Sequence, residues 1–105
     1  MKLDRNTNPD QKAKYAVINM RKVAGNPRTA EELAAAILAN PESVEFGAVG
    51  SPDEFFVVKL KDRFAPGALF GYANAAEAVD VDYSMEVRGL GLRAGENHPN
   101  CKTPD

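Results

Sequence analysis

A helix with clear signals at both of its ends lies in the stretch NPRTAEELAAAILANP, residues 26–41. Thr29 and Glu32 form a capping box, in which a hydroxyl and a carboxylate satisfy free backbone donors of the first turn. Apolar residues follow at helical spacing, and Asn40–Pro41 ends the pattern because the residue before a proline avoids helical geometry. The sequence therefore predicts a helix over residues 29–39, which leaves the segments on either side to be assigned separately.

Two β-rich runs follow this helix. VEFGAV and EFFVVKLK are separated by Gly50–Asp53, a turn-forming stretch, so together they predict a β-hairpin. In the second run apolar residues alternate with Lys59 and Lys61, and alternate residues of a strand point to opposite faces. One face of the predicted sheet is therefore buried, and the other carries charge.

The segment before the helix, residues 13–24, fits two structures. As a helix it has its apolar residues on one face, Asn8–Pro9 as a start signal and Gly25 as a stop signal. As a strand, Lys14–Arg21 has tyrosine, valine and isoleucine clustered at its centre. Both interpretations stay open at this point. We follow the strand, because a similar run occurs later in the chain.

Two more helices are predicted after residue 63, in APGALFGYANAAEAV and DYSMEVRGLGLRAG. The sequence thus predicts an α+β fold, in which a small antiparallel sheet of about three strands is covered on one face by helices over 29–39, 65–79 and 81–94. In the second helix Gly67, Gly71 and Ala75 are spaced four residues apart. We expect these small residues to allow close packing of that helix on the sheet.

The length of 105 residues predicts a single domain over residues 1–105, with a polar lead-in over 1–13 and an ordered C-terminal tail over 95–105. The lead-in lacks the apolar core of a signal peptide, and no run approaches the ~18 apolar residues of a membrane span. The single cysteine agrees with a reducing compartment. We therefore expect a cytoplasmic protein without membrane contact. The net charge of −2 argues against generic DNA binding.

The sequence contains no motif that specifies a reaction. Gly89, Gly91 and Gly95 have the spacing GxGxxxG near the end of a predicted helix, which differs from the GxGxxG that opens a helix in dinucleotide-binding folds. His98 and Cys101 are the only histidine and cysteine, and a structural zinc site needs four ligands. A structural tail is the interpretation we follow. A metal site completed by other groups and a thiol nucleophile are the alternatives.

The segments KYAVINMRK and DEFFVVKLKDRFA, with the ending AGENHPNCKTPD, resemble a set of small uncharacterised accessory proteins encoded in bacteriophage genomes. The resemblance covers most of the chain and includes no catalytic motif. It implies an accessory protein of a class rich in inhibitors, decoys and ligand-sequestering modules, acting in the cytoplasm of a host cell.

One binding surface follows from the predicted strands. If Lys14–Arg21 pairs with the strand that carries the two lysines, one sheet face presents an aromatic ring, an amide and three cations. These residues are Tyr15, Asn19, Arg21, Lys59 and Lys61. Such a face suits an anionic, planar group such as a nucleotide, or an acidic partner. The alternative is that the lysines only solubilise the sheet and protect its edge.

Three classes of function remain open. The first, which we favour, is a non-enzymatic protein that binds and inhibits or sequesters a host protein or an anionic, nucleotide-like ligand, without a cofactor. The second is a structural protein that forms homo-oligomers through its alanine- and glycine-lined helices. The third is a small metal- or thiol-dependent enzyme that uses His98 and Cys101.

Overall fold

The structure, a computed structural model, describes residues 13–104, and these form two compact units. The first unit covers residues 13–57 and the second covers residues 58–104. The chain is α+β: residues 13–104 hold three α-helices and one two-stranded antiparallel sheet. The elements are β1 (Val17–Ile18), α1 (Ala30–Ala39), β2 (Val44–Glu45), α2 (Ala65–Ala76) and α3 (Val81–Leu92), with short 3-10 helices at Met20–Lys22, Pro41–Ser43 and Gly95–Asn97.

The predicted strand over 14–21 is wrong for most of its length. Only β1 is extended and paired, and it pairs with β2 so that Val17 lies opposite Glu45. The chain then enters the 3-10 helix at residue 20, because the Asn19 side chain accepts a hydrogen bond from the Arg21 N–H (3.1 Å) and caps that turn. The capping hydrogen bond therefore ends the strand before Arg21.

The predicted hairpin after α1 is also wrong. Residues 49–53 do form turns, but residues 54–59 have no regular secondary structure, so the sheet described between residues 13 and 104 has two strands rather than three. Gly47, two residues after β2, has a φ of 65°, which only glycine adopts readily. A side chain at Gly47 would collide with the Phe55 ring at 2.5 Å. The chain bends at Gly47, and the Phe55 ring then packs against the backbone there. The predicted hairpin would instead have a paired strand after the turn.

The predicted first helix is confirmed with its capping box. The Thr29 hydroxyl accepts from the Glu32 N–H (3.1 Å), and the Glu32 carboxylate accepts from the Arg28 N–H (3.0 Å). Asn40 then ends α1, and its side chain donates to the Lys22 carbonyl (2.7 Å). The end of α1 is thereby tied to the segment that follows β1.

The two later helices are confirmed, and both end earlier than predicted. α2 and α3 are joined by residues 77–80 and pack against each other as an antiparallel pair. Asp80 caps α3 by accepting from the Tyr83 N–H (3.0 Å). The single domain over residues 1–105 and the covering of one sheet face by the three helices stay predictions. The lead-in up to residue 12 and the last residue of the tail lie outside the described residues.

Candidate interaction surface

The five residues of the predicted binding face are divided between the two units. Tyr15, Asn19 and Arg21 belong to the first unit, and Lys59 and Lys61 to the second. The strand pairing that would join them is replaced by the pairing of β1 with β2. Neither lysine lies on a strand. A ligand site made of these residues therefore stays a prediction, without the alternation of strand residues on which it was based.

Asn19 has a structural role in the first unit. Its side-chain oxygen accepts from the Arg21 N–H, and its side-chain nitrogen donates to the Glu45 carboxylate (3.3 Å). The Asn19 N–H donates to the Ser43 carbonyl (2.8 Å). The side chain and backbone of Asn19 thus link the residue after β1 to Ser43 and Glu45, in and beside β2. Near it, the Lys14 ammonium lies 5.7 Å from the centre of the half-buried Tyr15 ring.

Lys61 contributes its backbone to a contact with the C-terminal tail. The Lys102 N–H donates to the Lys61 carbonyl (2.8 Å), and the Arg63 N–H donates to the Lys102 carbonyl (3.0 Å). The Gly95 N–H donates to the Leu60 carbonyl (2.8 Å). The predicted ordered tail is therefore held by backbone hydrogen bonds to residues 60–63, a contact that we call the backbone clamp.

His98 and Cys101 shape the turn before the backbone clamp. The Cys101 N–H donates to the His98 carbonyl (3.1 Å), and the imidazole Nδ1 accepts from the Asn100 N–H (3.0 Å). The sequence predicts that Cys101 packs as a small hydrophobic residue, but the cysteine is exposed. Between residues 13 and 104, no three His, Cys, Asp or Glu side chains come together as a group that would hold a metal ion.

Small residues fill the contact between α2 and α3. Ala65, Ala73 and Ser84 are fully buried, and the Ser84 hydroxyl donates to the Val81 carbonyl (2.8 Å). At Gly91 a Cβ would meet the Phe70 ring at 2.7 Å, so this glycine is what allows the ring to lie against α3. The interior of the second unit is therefore close-packed but small.

Polar groups close this helix pair along both of its sides. On one side, Arg88 of α3 donates to Asn74 (2.7 Å) and to the Glu77 carboxylate (3.2 Å). On the other side, the hydroxyls of Tyr72 and Tyr83 are 2.7 Å apart, and their rings meet edge to face. The hydrogen bond with Tyr72 raises the pKa of Tyr83 above its ordinary value, and the nearby carboxylates of Asp80 and Glu86 raise this pKa further.

An apolar stripe on α3 lies beside the face that contacts α2. Val81, Met85 and Leu92 are 55%, 62% and 68% exposed, although all three are large apolar residues. At 3.6 residues per turn these three positions project within about 40° of one another. The α3 residues that contact α2 lie on a different face of the helix and include Ser84, Val87 and Gly91. We call Val81, Met85 and Leu92 the α3 stripe.

The outer face of α2 carries no charge. From Ala65 to Ala76 the sequence has no Asp, Glu, Lys or Arg. A Cβ on Gly67 or on Gly71 would meet nothing within 4 Å, so the predicted role of these glycines in close packing is wrong. They lie on the exposed side of the helix instead.

Reasoning from the sequence places Met85 and Leu92 among the apolar residues of a helix but does not show that they are exposed. The signal that points to their exposure is the neighbouring set of small residues, because Ser84 and Gly91 mark a second and narrower face suited to contact with α2.

None of the helices between residues 13 and 104 combines the length and the apolar content that crossing a bilayer requires. No family model, no curated protein and no solved structure matches the chain.

Proposed function

We propose that this chain is a non-enzymatic binding protein that holds another polypeptide on the α2–α3 surface of its second unit. In keeping with its resemblance to phage-encoded accessory proteins, we propose that it works in the cytoplasm of a host cell. There, occupation of a partner's surface is enough to inhibit or sequester that partner.

The observation that carries this proposal is the distribution of residue sizes in the second unit. Alanine, serine and glycine occupy most of its buried positions, together with Val87, whereas seven large apolar side chains are exposed. The exposed ones are Phe64, Tyr72, Val79, Val81, Tyr83, Met85 and Leu92. Exposed apolar side chains on and beside one helix pair are typical of protein–protein contact sites, whose centres are enriched in aromatic residues and methionine.

A polypeptide partner fits this surface better than an anionic, nucleotide-like ligand does. The amide of Asn19, which the ligand hypothesis requires, already makes two hydrogen bonds within the first unit. The α3 stripe, in contrast, offers apolar contact area along three turns of a helix. A helix face of this kind is recognised by another helix or by a groove.

Photo-cross-linking in cells tests this proposal. A photoreactive phenylalanine analogue replaces Met85 in one variant and Tyr72 in a second, and the cells are irradiated before the protein is isolated. We expect a covalent adduct heavier than the single chain at Met85, because a polypeptide bound on the α3 stripe would lie within reach of the reactive group. Tyr72 reports whether the contact also covers the other side of the helix pair.

The matched control carries the same analogue at Glu42, an exposed residue of the first unit. We expect no adduct there. Equal adduct yields at all three positions would indicate random collision, and the absence of adducts at both positions on the second unit would disprove the proposal.

A further inference from the structure

Two opposite charges flank the two ends of the α3 stripe. Asp82, in the first turn of α3, and Arg93, at its C-terminal cap, are both exposed. Within residues 13–104 neither side chain takes part in an ion pair or a hydrogen bond. At 100° per residue they project within about 20° of each other, on the same flank of the stripe. They are separated by about 16 Å along the helix axis, so they cannot pair within one chain.

Antiparallel contact between two α3 helices would bring these charges together. A two-fold axis near the middle of the helix places Asp82 of one copy beside Arg93 of the other, and the same pair forms again on the other side of the axis. In this register Val81 lies about 3 Å along the helix axis from Leu92 of the second copy, within reach of its side chain. Met85 faces Gly89, where a Cβ would meet nothing within 4 Å, so there is room for the methionine side chain.

From this complementarity we infer that the polypeptide held by the α3 stripe is a second copy of this chain, bound antiparallel through α3. The inference rests on the proposed function: it keeps polypeptide binding on this surface, and it names a second copy of the chain, instead of a host protein, as the polypeptide bound through α3. Two features of α3 support this inference. Under two-fold symmetry its apolar stripe contacts the same stripe of the second copy, and the same symmetry brings together two unpaired charges of opposite sign.

The charge of the second unit allows the same contact. Residues 58–105 contain six basic and seven acidic residues, a net charge of −1 that repels a second copy only weakly. α3 has twelve residues and is only about 18 Å long, so a contact through this helix alone buries less than the ~800 Å² per partner of a standard interface. We therefore expect a weak dimer whose population rises with protein concentration.

A charge-exchange experiment tests the inference by native mass spectrometry and sedimentation over a range of concentrations. Asp82→Arg and Arg93→Asp are prepared as separate proteins. Each variant alone would bring like charges together at both pairs, and we expect dimerisation at least roughly tenfold weaker than that of the parent. Mixed in equal amounts, the two variants restore both pairs of opposite charge, one as in the parent and one with its charges exchanged. The mixture should therefore form a heterodimer, identified by its mass, about as readily as the parent forms its dimer.

Glu31→Arg is the matched control, because Glu31 is an exposed acidic residue in the first turn of α1. It should leave the dimer unchanged. A variant that fails to fold cannot form the heterodimer, so recovery in the mixture also reports folding.

Several outcomes would overturn the inference: a parent protein that is monomeric at every concentration, single variants that dimerise like the parent, or a mixture that stays monomeric while both proteins retain their helical circular dichroism. The cross-linking experiment separates this failure from failure of the proposed function. Adducts at Met85 whose mass differs from that of two chains would show that the surface binds a different polypeptide. The proposed function would then stand, and the inference of a second copy would fail.

Discussion

On one side of the helix pair, α2 and α3 are linked by a hydrogen bond between two tyrosine hydroxyl groups. Tyr72 and Tyr83 share one hydrogen bond, and this bond favours the neutral phenol of Tyr83. A phenol whose pKa is raised in the folded state contributes stability fully below its ordinary pKa of 10.0. This contribution is lost as the pH rises through the higher, folded-state pKa. The tyrosine pair therefore stabilises the protein at neutral pH and weakens in strong alkali.

Tyr72→Phe tests the role of this hydrogen bond. We expect the pKa of Tyr83 to fall toward its ordinary value, because the main cause of its shift is removed. The measurement is the absorbance of the phenolate during an alkaline titration, which is simple in a chain with three tyrosines and no tryptophan.

Tyr15→Phe serves as the control for this titration, because it also removes one phenol but leaves the Tyr72–Tyr83 pair intact. The high-pKa transition should persist in Tyr15→Phe and be missing in Tyr72→Phe. A high-pKa transition that persists in Tyr72→Phe would show that the hydrogen bond does not cause the shift.

At the level of the helices, two glycines that look alike in the sequence have opposite roles. Gly91→Ala should lower the free energy of unfolding by about 1–3 kcal/mol, because the new Cβ overlaps the Phe70 ring, and the ring or the helix must shift. Gly71→Ala should raise it by up to ~1 kcal/mol, because nothing lies within 4 Å of the new Cβ and alanine is the better helix former. Denaturant unfolding monitored by circular dichroism measures both changes. Equal effects of the two substitutions would contradict the described packing.

Local signals in the sequence predict the helices well. The capping box at Thr29 and the Asp80 cap depend on residues three apart, so their outcome does not require knowledge of distant parts of the chain. The hairpin prediction failed because Val44–Glu45 pairs with β1, far back along the chain, instead of with the run that follows the turn. Alternation at Lys59 and Lys61 could not show that Gly47 would bend the chain and bring Phe55 against it.

The binding face failed to gain support for the same reason as the hairpin, since it was derived from strand alternation. The sequence predicts the apolar residues of the α3 stripe but not their exposure. Its apolar residues stand at helical spacing, but whether such residues are buried depends on which face the neighbouring helix covers. The small residues Ser84 and Gly91 lie in the contact with α2, and tertiary packing determines that this face of α3 is the buried one.

For the whole molecule, the prediction of a single domain can be tested by unfolding with two tyrosine reporters. In Tyr15→Phe the tyrosine emission comes from the second unit, and in the double variant Tyr72→Phe, Tyr83→Phe it comes from the first. A single cooperative domain predicts that both reporters give the same midpoint in urea once each variant's overall stability, measured by circular dichroism, is taken into account. Two separated transitions would show instead that the units unfold as independent domains.

The backbone clamp has a consequence for the covalent path of the chain. Since Lys102 is hydrogen-bonded to Lys61 and Arg63, the second unit enters and leaves at nearly the same point. Its chain forms a closed loop, and proteins whose ends lie side by side tolerate circular permutation and insertion into a host loop. Residues 60–103 are thus a candidate cassette: grafted into a surface loop of an unrelated carrier, they would present α3 to solvent without separating the strands or helices on either side of the insertion.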